Sequence, residues 1–144
     1  MTPMTILHIE DDEMDAELMQ AAMCSAIVPG SFAITQVNSL RSALKAMEET
    51  RYDAILLDMN LADISGIDNV RVVTQESPET PVIILSGAED DNLAEKSVRY
   101  GARHYLVKGK CDGTTIRDAI LSTLKDPEAI NRAQIASYTT SARA

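Results

Sequence analysis

Thr5-Ile6-Leu7-His8-Ile9-Glu10-Asp11-Asp12 is the stretch whose reading decides the fold. A mostly apolar run stops abruptly at four consecutive acids, Glu10 to Glu13, which is the pattern of a buried strand whose carboxyl end opens into a polar loop. The same pattern recurs downstream. Ala54-Ile55-Leu56-Leu57 ends at Asp58, Val82-Ile83-Ile84-Leu85 at Ser86-Gly87, and Tyr105-Leu106-Val107 at Lys108. Phe32, Ile34 and Val37 mark one more strand, second in chain order. Between the strands, apolar residues return at helical spacing. Met14, Leu18, Ala21 and Ala22 form the first such stripe, closed by Pro29-Gly30; Leu40, Ala43, Leu44 and Met47 form the second, behind a Ser39 N-cap. Val70 and Val73 before Pro78 and Pro81, Leu93, Ala94 and Val98 before a Gly101 cap, and Ile116, Ala119, Ile120 and Leu124 complete the series.

Strands apolar on both faces, each followed by a helix, predict a parallel sheet covered on both sides. Right-handed crossovers then favour an open, doubly wound α/β sheet of five strands with five helices, whereas a closed eight-fold barrel needs far more chain. The 144 residues fit one domain at roughly 150 residues per domain. We expect that domain over residues 4–126, with 127–144 as a tail or short helical extension, because periodicity fades after Asp126-Pro127.

Composition narrows the function classes. Twenty-two acidic residues against 13 basic ones leave a net charge of −9, which repels phosphate backbones and argues against direct nucleic-acid binding. The longest apolar runs are about four residues, so membrane insertion is not expected. The first 25 residues are acidic and show no leader pattern, and Cys24 and Cys111 lack metal-ligand spacing. A cytoplasmic location with free thiols is the expectation.

The chemistry collects where the strands end. In an open α/β sheet, ligands bind beyond the carboxyl ends of the strands, where the strand order reverses. With the order 2-1-3-4-5, Glu10, Asp11 and Asp58 converge in that crevice. Three carboxylates so close raise one another's pKa values unless a cation neutralises them, and a hard divalent ion such as Mg²⁺ suits carboxylates and a carbonyl. Ser86 and Lys108 face the same cup with a hydroxyl and a fixed positive charge, a pair suited to a phosphoryl group.

These residues carry a family resemblance. Ile6-Leu7-His8-Ile9-Glu10-Asp11-Asp12, Ile55-Leu56-Leu57-Asp58-Met59-Asn60-Leu61 with Gly66, Pro81-Val82-Ile83-Ile84-Leu85-Ser86-Gly87 and Gly101-Ala102-Arg103-His104-Tyr105-Leu106-Val107-Lys108 stand in the order and spacing of a response-regulator receiver domain. The resemblance covers about residues 4 to 125. It implies the flavodoxin-like receiver fold and a phosphorylation-controlled switch rather than an enzyme. Asp58 resembles the phosphoacceptor, Asp11 the direct Mg²⁺ (or Mn²⁺) ligand, and Glu10 its partner acting through water, with the backbone carbonyl of Asn60 completing the protein ligands. Lys108, Ser86 and the backbones of Met59 and Gly87 resemble the phosphoryl-binding groups. Ser86 and Tyr105 match the switch pair, and Asn60 and Ala88 the positions that tune phosphoryl lifetime. The implied partners are a sensor histidine kinase or phosphotransfer protein and a downstream protein. A homodimer through the helix 4–strand 5–helix 5 face, about residues 90 to 125, is the family's common assembly. The chain is read either as a stand-alone regulator or as the receiver of a longer signalling protein.

Two positions depart from the family. Gly109 follows Lys108 where a proline joined by a cis bond is usual, and Ala62 stands where a proline is common. A cis bond to a non-proline residue costs about 2.5–4 kcal/mol, so the Lys108–Gly109 bond is either trans or strained. Other readings compete. A phosphohydrolase using an aspartyl-phosphate intermediate typically carries a second aspartate two residues after the nucleophile, where this chain has Asn60. A pseudo-receiver acting without phosphorylation usually lacks an acidic pocket residue or the lysine, and this chain keeps both. Asp12 reads as a helix cap. His8 reads as a hydrogen-bonded interior or edge histidine, and His104 as solvent-facing. The methionines read as core filling, with Met59 placed to shape access to the site. Arg99, Arg103, Lys108 and Lys110 form a mildly basic stretch, either a solvated face or a partner-docking patch.

Overall fold

The computed structural model describes residues 3–26, 30–61, 63 and 66–123. The expectations placed on Pro29, Ala62, Leu124 and the 127–144 tail fall outside the described residues. Strands β1 (Met4–Ile9), β2 (Phe32–Val37), β3 (Ala54–Asp58), β4 (Val82–Ser86) and β5 (His104–Val107) alternate with helices α1 (Glu13–Ala26), α2 (Leu40–Glu49), α3 (Ile67–Glu76), α4 (Asp91–Arg99) and α5 (Gly113–Thr123). A single 3₁₀ turn, Lys108–Lys110, joins β5 to α5. The five strands form one parallel sheet in the order β2-β1-β3-β4-β5. The expected α/β architecture is therefore the observed one.

Neighbouring residues of each central strand serve opposite faces. Leu7, Ile9, Ile55, Leu57 and Ile84 pack with Leu40, Ala43, Val70 and Val73 on the α2–α3 side. Ile6, Leu56, Ile83 and Leu85 pack with Met23, Ile116, Ala119 and Ile120 on the α1–α5 side. Both faces are dry, which is why the strands read as continuous apolar runs instead of alternating ones. Register then places Leu57 beside Ile9 and Ile84, and the ends of β1, β3 and β4 reach the same rim.

Local signals act as anticipated at several boundaries. The Ser39 hydroxyl accepts from the Ser42 N–H at 3.0 Å and starts α2. Gly101, at φ +111°, continues past the α4 cap in a conformation that few side chains tolerate. Every peptide bond among the described residues is trans, Lys108–Gly109 included.

Two helix faces differ from expectation. On α1 the buried residues are Ala16, Met23 and Ala26, while Met14 and Leu18 are 70% and 64% exposed. The helix carries apolar residues around most of its circumference, so spacing alone does not choose a face. Close packing on α5 does: a Cβ on Gly113 would run into the Ala22 carbonyl, and Met23 N lies at 3.0 Å. Only the small-residue side of α1 can approach that closely. On α4, Ser97 is the buried residue and Val98 points outward.

Candidate functional site

The β1–α1 loop is built first. Glu10 continues the β1–β2 ladder through its N–H to Val37 O at 2.9 Å, and the Gln36 side chain donates to Glu10 O at 2.7 Å. Glu10 is buried, at 1% exposure. Asp12 caps α1, its Oδ1 accepting from the Asp15 N–H at 3.0 Å. Asp58 closes β3 and is 4% exposed. One carboxylate oxygen from each of Glu10, Asp11 and Asp58 lies within 4.8 Å of the others. Sequence reasoning named these three residues, and the fold brings them together.

Lys108 comes from the opposite side of the cup. Its Nζ lies 2.6 Å from Glu10 Oε1, 3.1 Å from Asp15 Oδ2 and 3.5 Å from Asp58 Oδ1. One ammonium thus serves three carboxylates. Burial, and then a hydrogen bond shared with Glu10, pushes the Asp58 carboxyl up to about 7. Burial also opposes charge on Glu10, yet its hydrogen bonds with Asp58 and Lys108 hold it below the ordinary range. Lys108 is driven up despite its desolvation, because Glu10, Asp58 and Asp15 all favour the charged form. Of the pair, Asp58 is the carboxyl whose charged form the pocket disfavours, and Glu10 the one whose charged form it favours. Such a pocket, rich in hard oxygen donors and short of positive charge, fits a divalent cation.

The β3–α3 loop is pinned at both ends. Asn69, fully buried, donates its Nδ2 to the carbonyls of Met59 at 2.8 Å and Asp58 at 3.2 Å. The Asp63 carboxylate accepts from the N–H groups of Leu40 and Arg41, capping α2 from a distance in sequence. Asn60 turns its N–H toward Asp58 Oδ1 at 3.2 Å. Met59 corrects two expectations. Its side chain is 1% exposed and belongs to the core rather than to the rim, and its N–H is spent on Leu85 O at 3.0 Å as the β3–β4 pairing runs on. The backbone donor that faces Asp58 is that of Asn60.

At the end of β4, Ser86 is buried, with its hydroxyl engaged by Ala88. Its hydroxyl donates to Ala88 O at 3.2 Å and accepts from the Ala88 N–H at 3.1 Å. The Tyr105 hydroxyl donates to the same Ala88 carbonyl at 2.8 Å. Gly87, between Ser86 and Ala88, is exposed at the rim. An ion pair between Lys110 and Glu89 bridges the β4–α4 and β5–α5 connections.

Other expectations resolve simply. His8 is interior, but neither ring nitrogen has a partner, and burial lowers its pKa to about 4. A hydrogen-bonded histidine is therefore not what β1 holds. His104 is half-buried and bonded to Ser122 at 2.8 Å rather than open to solvent. Of the basic stretch, Arg99 pairs with Glu95, Lys110 with Glu89, and Lys108 belongs to the site. Sequence reasoning missed Asp15 and Asn69. Asp15 stands in the first turn of α1, three residues after the Asp12 cap, and its place at the start of the helix that follows the acidic strand end was the available signal.

A family model described as the response regulator receiver domain matches residues 6–121. Among curated proteins, the chain is 32% identical over 105 residues to the cell cycle transcriptional regulator CtrA of Caulobacter vibrioides, covering 73% of this chain and 44% of CtrA. It is 26% identical over 111 residues to the regulatory protein LuxO of Vibrio cholerae, covering 77% of this chain and 24% of LuxO. The chain thus spans between a quarter and a half of these curated relatives. Among solved structures, the signal receiver domain of the response regulator NarL from Mycobacterium tuberculosis superposes with a TM-score of 0.72 at 20% identity, covering 85% of this chain and 96% of that one. The chemotaxis response regulator CheY4 of Vibrio cholerae gives 0.71 at 20% identity, covering 85% and 100%. No helix among the described residues is long and apolar enough to cross a membrane.

Proposed function

The chain belongs to the response regulator receiver domain family, and from that membership we propose that it accepts a phosphoryl group on Asp58 and converts it into a changed partner surface. The observation that carries this reading is the convergence of Glu10, Asp11 and Asp58 within 4.8 Å, with the Lys108 ammonium 3.5 Å from Asp58.

In this reading an Asp58 carboxylate oxygen attacks the phosphorus of a phosphohistidine on a sensor kinase or phosphotransfer protein. The P–N bond breaks, its electron pair stays on the imidazole nitrogen, which takes a proton from solvent, and an acyl phosphate remains on Asp58. Asp11, Asp58 and the Asn60 carbonyl would hold Mg²⁺ or Mn²⁺, with Glu10 acting through water. The ion would supply charge neutralisation to the reacting oxygens. Lys108 neutralises a phosphoryl oxygen from one side, while the backbones of Asn60 and Gly87 and the Ser86 hydroxyl are the donors on the other. Asn60 and Ala88 flank the group and tune its lifetime.

The output follows from Ala88. Its carbonyl accepts from both Ser86 and Tyr105 in the unphosphorylated protein. When the Ser86 hydroxyl turns to the phosphoryl group, Ala88 loses its tie to β4, and the Tyr105 ring is free to turn inward with the loop. The surface that changes is that of α4, β5 and α5, where a downstream protein or a second copy docks. Residues 4–126 form this switch, working in the cytoplasm.

Intact mass after incubation with Mg²⁺ and acetyl phosphate tests the reading. The gain of one phosphoryl group, lost without metal and in Asp58→Asn, is the expected result. No gain from acetyl phosphate or from a panel of phosphorylated kinases overturns it in favour of a phosphorylation-independent interaction module.

A further inference from the structure

Lys108 is held by a carboxylate that belongs to none of the acidic residues at the strand ends. Asp15 Oδ2 accepts from its Nζ at 3.1 Å, closer than Asp58 Oδ1 at 3.5 Å. Asp15 lies outside the three-carboxylate cluster, on the first turns of α1, and its side chain is 44% exposed against 2% for Glu10. Its backbone is fixed by the Asp12 cap, so the carboxylate is presented from a rigid turn and not from a loop.

We propose that Asp15 is a positioning residue that draws the Lys108 ammonium toward α1 and so limits the rate at which Asp58 is phosphorylated. This rests on the phosphoacceptor reading above and extends it to a residue outside the motif.

The reasoning is a count of donors. A lysine ammonium has three N–H groups and no more. In the unphosphorylated protein three carboxylates surround them: Glu10, Asp15 and Asp58. Transfer brings a further claimant, because the entering phosphoryl group gathers charge on its oxygens and needs one N–H from Lys108. Glu10 is buried and holds the lysine at 2.6 Å, so that bond is retained. The N–H turned toward Asp15 is the one that can be released. Asp15 also adds negative charge beside the path of an anionic donor. Both effects act in one direction, slowing transfer. Sites that must hold back spontaneous phosphorylation by small metabolites while responding to a docked kinase gain from such a brake.

The test uses the whole chain and follows phosphorylation of Asp58 with time, by intact mass, at saturating Mg²⁺ and a range of acetyl phosphate concentrations. The donor's P–O bond breaks and acetate leaves with the electron pair as the Asp58–phosphorus bond forms. Asp15→Asn is expected to raise the rate by about three- to fivefold, the scale of one partly exposed ion pair. Asp15→Glu, which can keep the pair, is expected to return the rate to that of the unchanged chain. Glu17→Gln removes an exposed charge from the same helix and is expected to leave the rate unchanged. Thermal unfolding of each variant establishes that it is folded.

An unchanged or lower rate in folded Asp15→Asn overturns the proposal while leaving Asp58 as the acceptor. An equal gain in Glu17→Gln also overturns it, since bulk charge and not the lysine would then be the cause. A native chain that takes up no phosphoryl group overturns both readings together.

Discussion

Asp58 titrates near neutrality, and this makes the affinity for Mg²⁺ depend on pH in a calculable way. Burial and the shared hydrogen bond with Glu10 raise its carboxyl to about 7, so at neutral pH it carries a proton about half of the time. A cation ligand must be deprotonated, so binding the ion expels that proton. Glu10, held below the ordinary carboxylate range, stays ionised throughout this window. The sign is therefore unambiguous: affinity rises with pH. Its size follows from the protonated fraction of one group. Between pH 8 and pH 6 the apparent dissociation constant should weaken about tenfold, and at pH 7 about half a proton should be released per ion bound. Calorimetric titration at pH 6, 7 and 8, in buffers of different ionisation enthalpy, reads both quantities. Asp58→Asn should bind the ion more weakly and lose the pH dependence. A change of less than about twofold across this range, or the same profile in Asp58→Asn, would refute the assignment of the proton to Asp58.

The buried His8 ring predicts acid sensitivity: its pKa is lowered from 6.5 to about 4, so its contribution to stability is present above 6.5 and lost as pH falls through 4. Urea unfolding of His8→Leu should show a loss between these pH values smaller by up to about 3 kcal/mol than in the native chain, and equal slopes would count against a buried neutral imidazole. Gly113→Ala sets two effects of opposite sign against each other. Reduced freedom of the unfolded chain offers a gain of about 0.4–1 kcal/mol, whereas the new Cβ meets the Ala22 backbone and overpacking of that kind costs about 1–3 kcal/mol. Denaturant midpoints should fall, and a rise would mean that α1 and α5 stand further apart than described. Tyr105→Phe removes the hydroxyl that reaches Ala88 O at 2.8 Å. Phosphoryl uptake should persist, while phosphorylation-dependent chemical-shift changes in residues 87–90 should shrink; full-size changes would separate Tyr105 from the switch.

How much of this was legible in the chain depended on whether one residue's own pattern carried the information. Continuous apolar runs such as Ala54–Leu57 announced a sheet covered on both faces, and the residues ending each run, Asp58, Ser86 and Lys108, marked the rim where ligands bind. Those readings needed only the period of the strand and the place where it stops. The rotation of α1 was not legible. Met14 and Leu18 recur at helical spacing as well as any core pair, and only the approach of Gly113 to Ala22, about ninety residues apart, selects the small-residue face. Met59 failed for a related reason: its position beside Asp58 says nothing about whether its N–H continues the ladder to Leu85. Asp15 looked like one more acid in an acidic segment until the fold brought Lys108 over it.

The pocket is a set of groups that share partners. Glu10 and Asp58 share a proton, Glu10, Asp15 and Asp58 share one ammonium, and Ser86 and Tyr105 share one carbonyl. Each sharing couples several groups to one partner, and burial makes that coupling matter, since charges and dipoles interact more strongly away from water. In the proposed switch a cation would engage the first, taking the proton's place between the carboxylates. A phosphoryl group on Asp58 would engage the second and third together, drawing on Lys108 and offering the Ser86 hydroxyl a charged acceptor in exchange for a neutral one. On the proposed function the two events would thus be linked through the same oxygens on Asp58. In the proposed switch, a change of charge at Asp58 would reach the Ala88 loop through Ser86, because the Ser86 and Tyr105 hydroxyls both bond the Ala88 carbonyl.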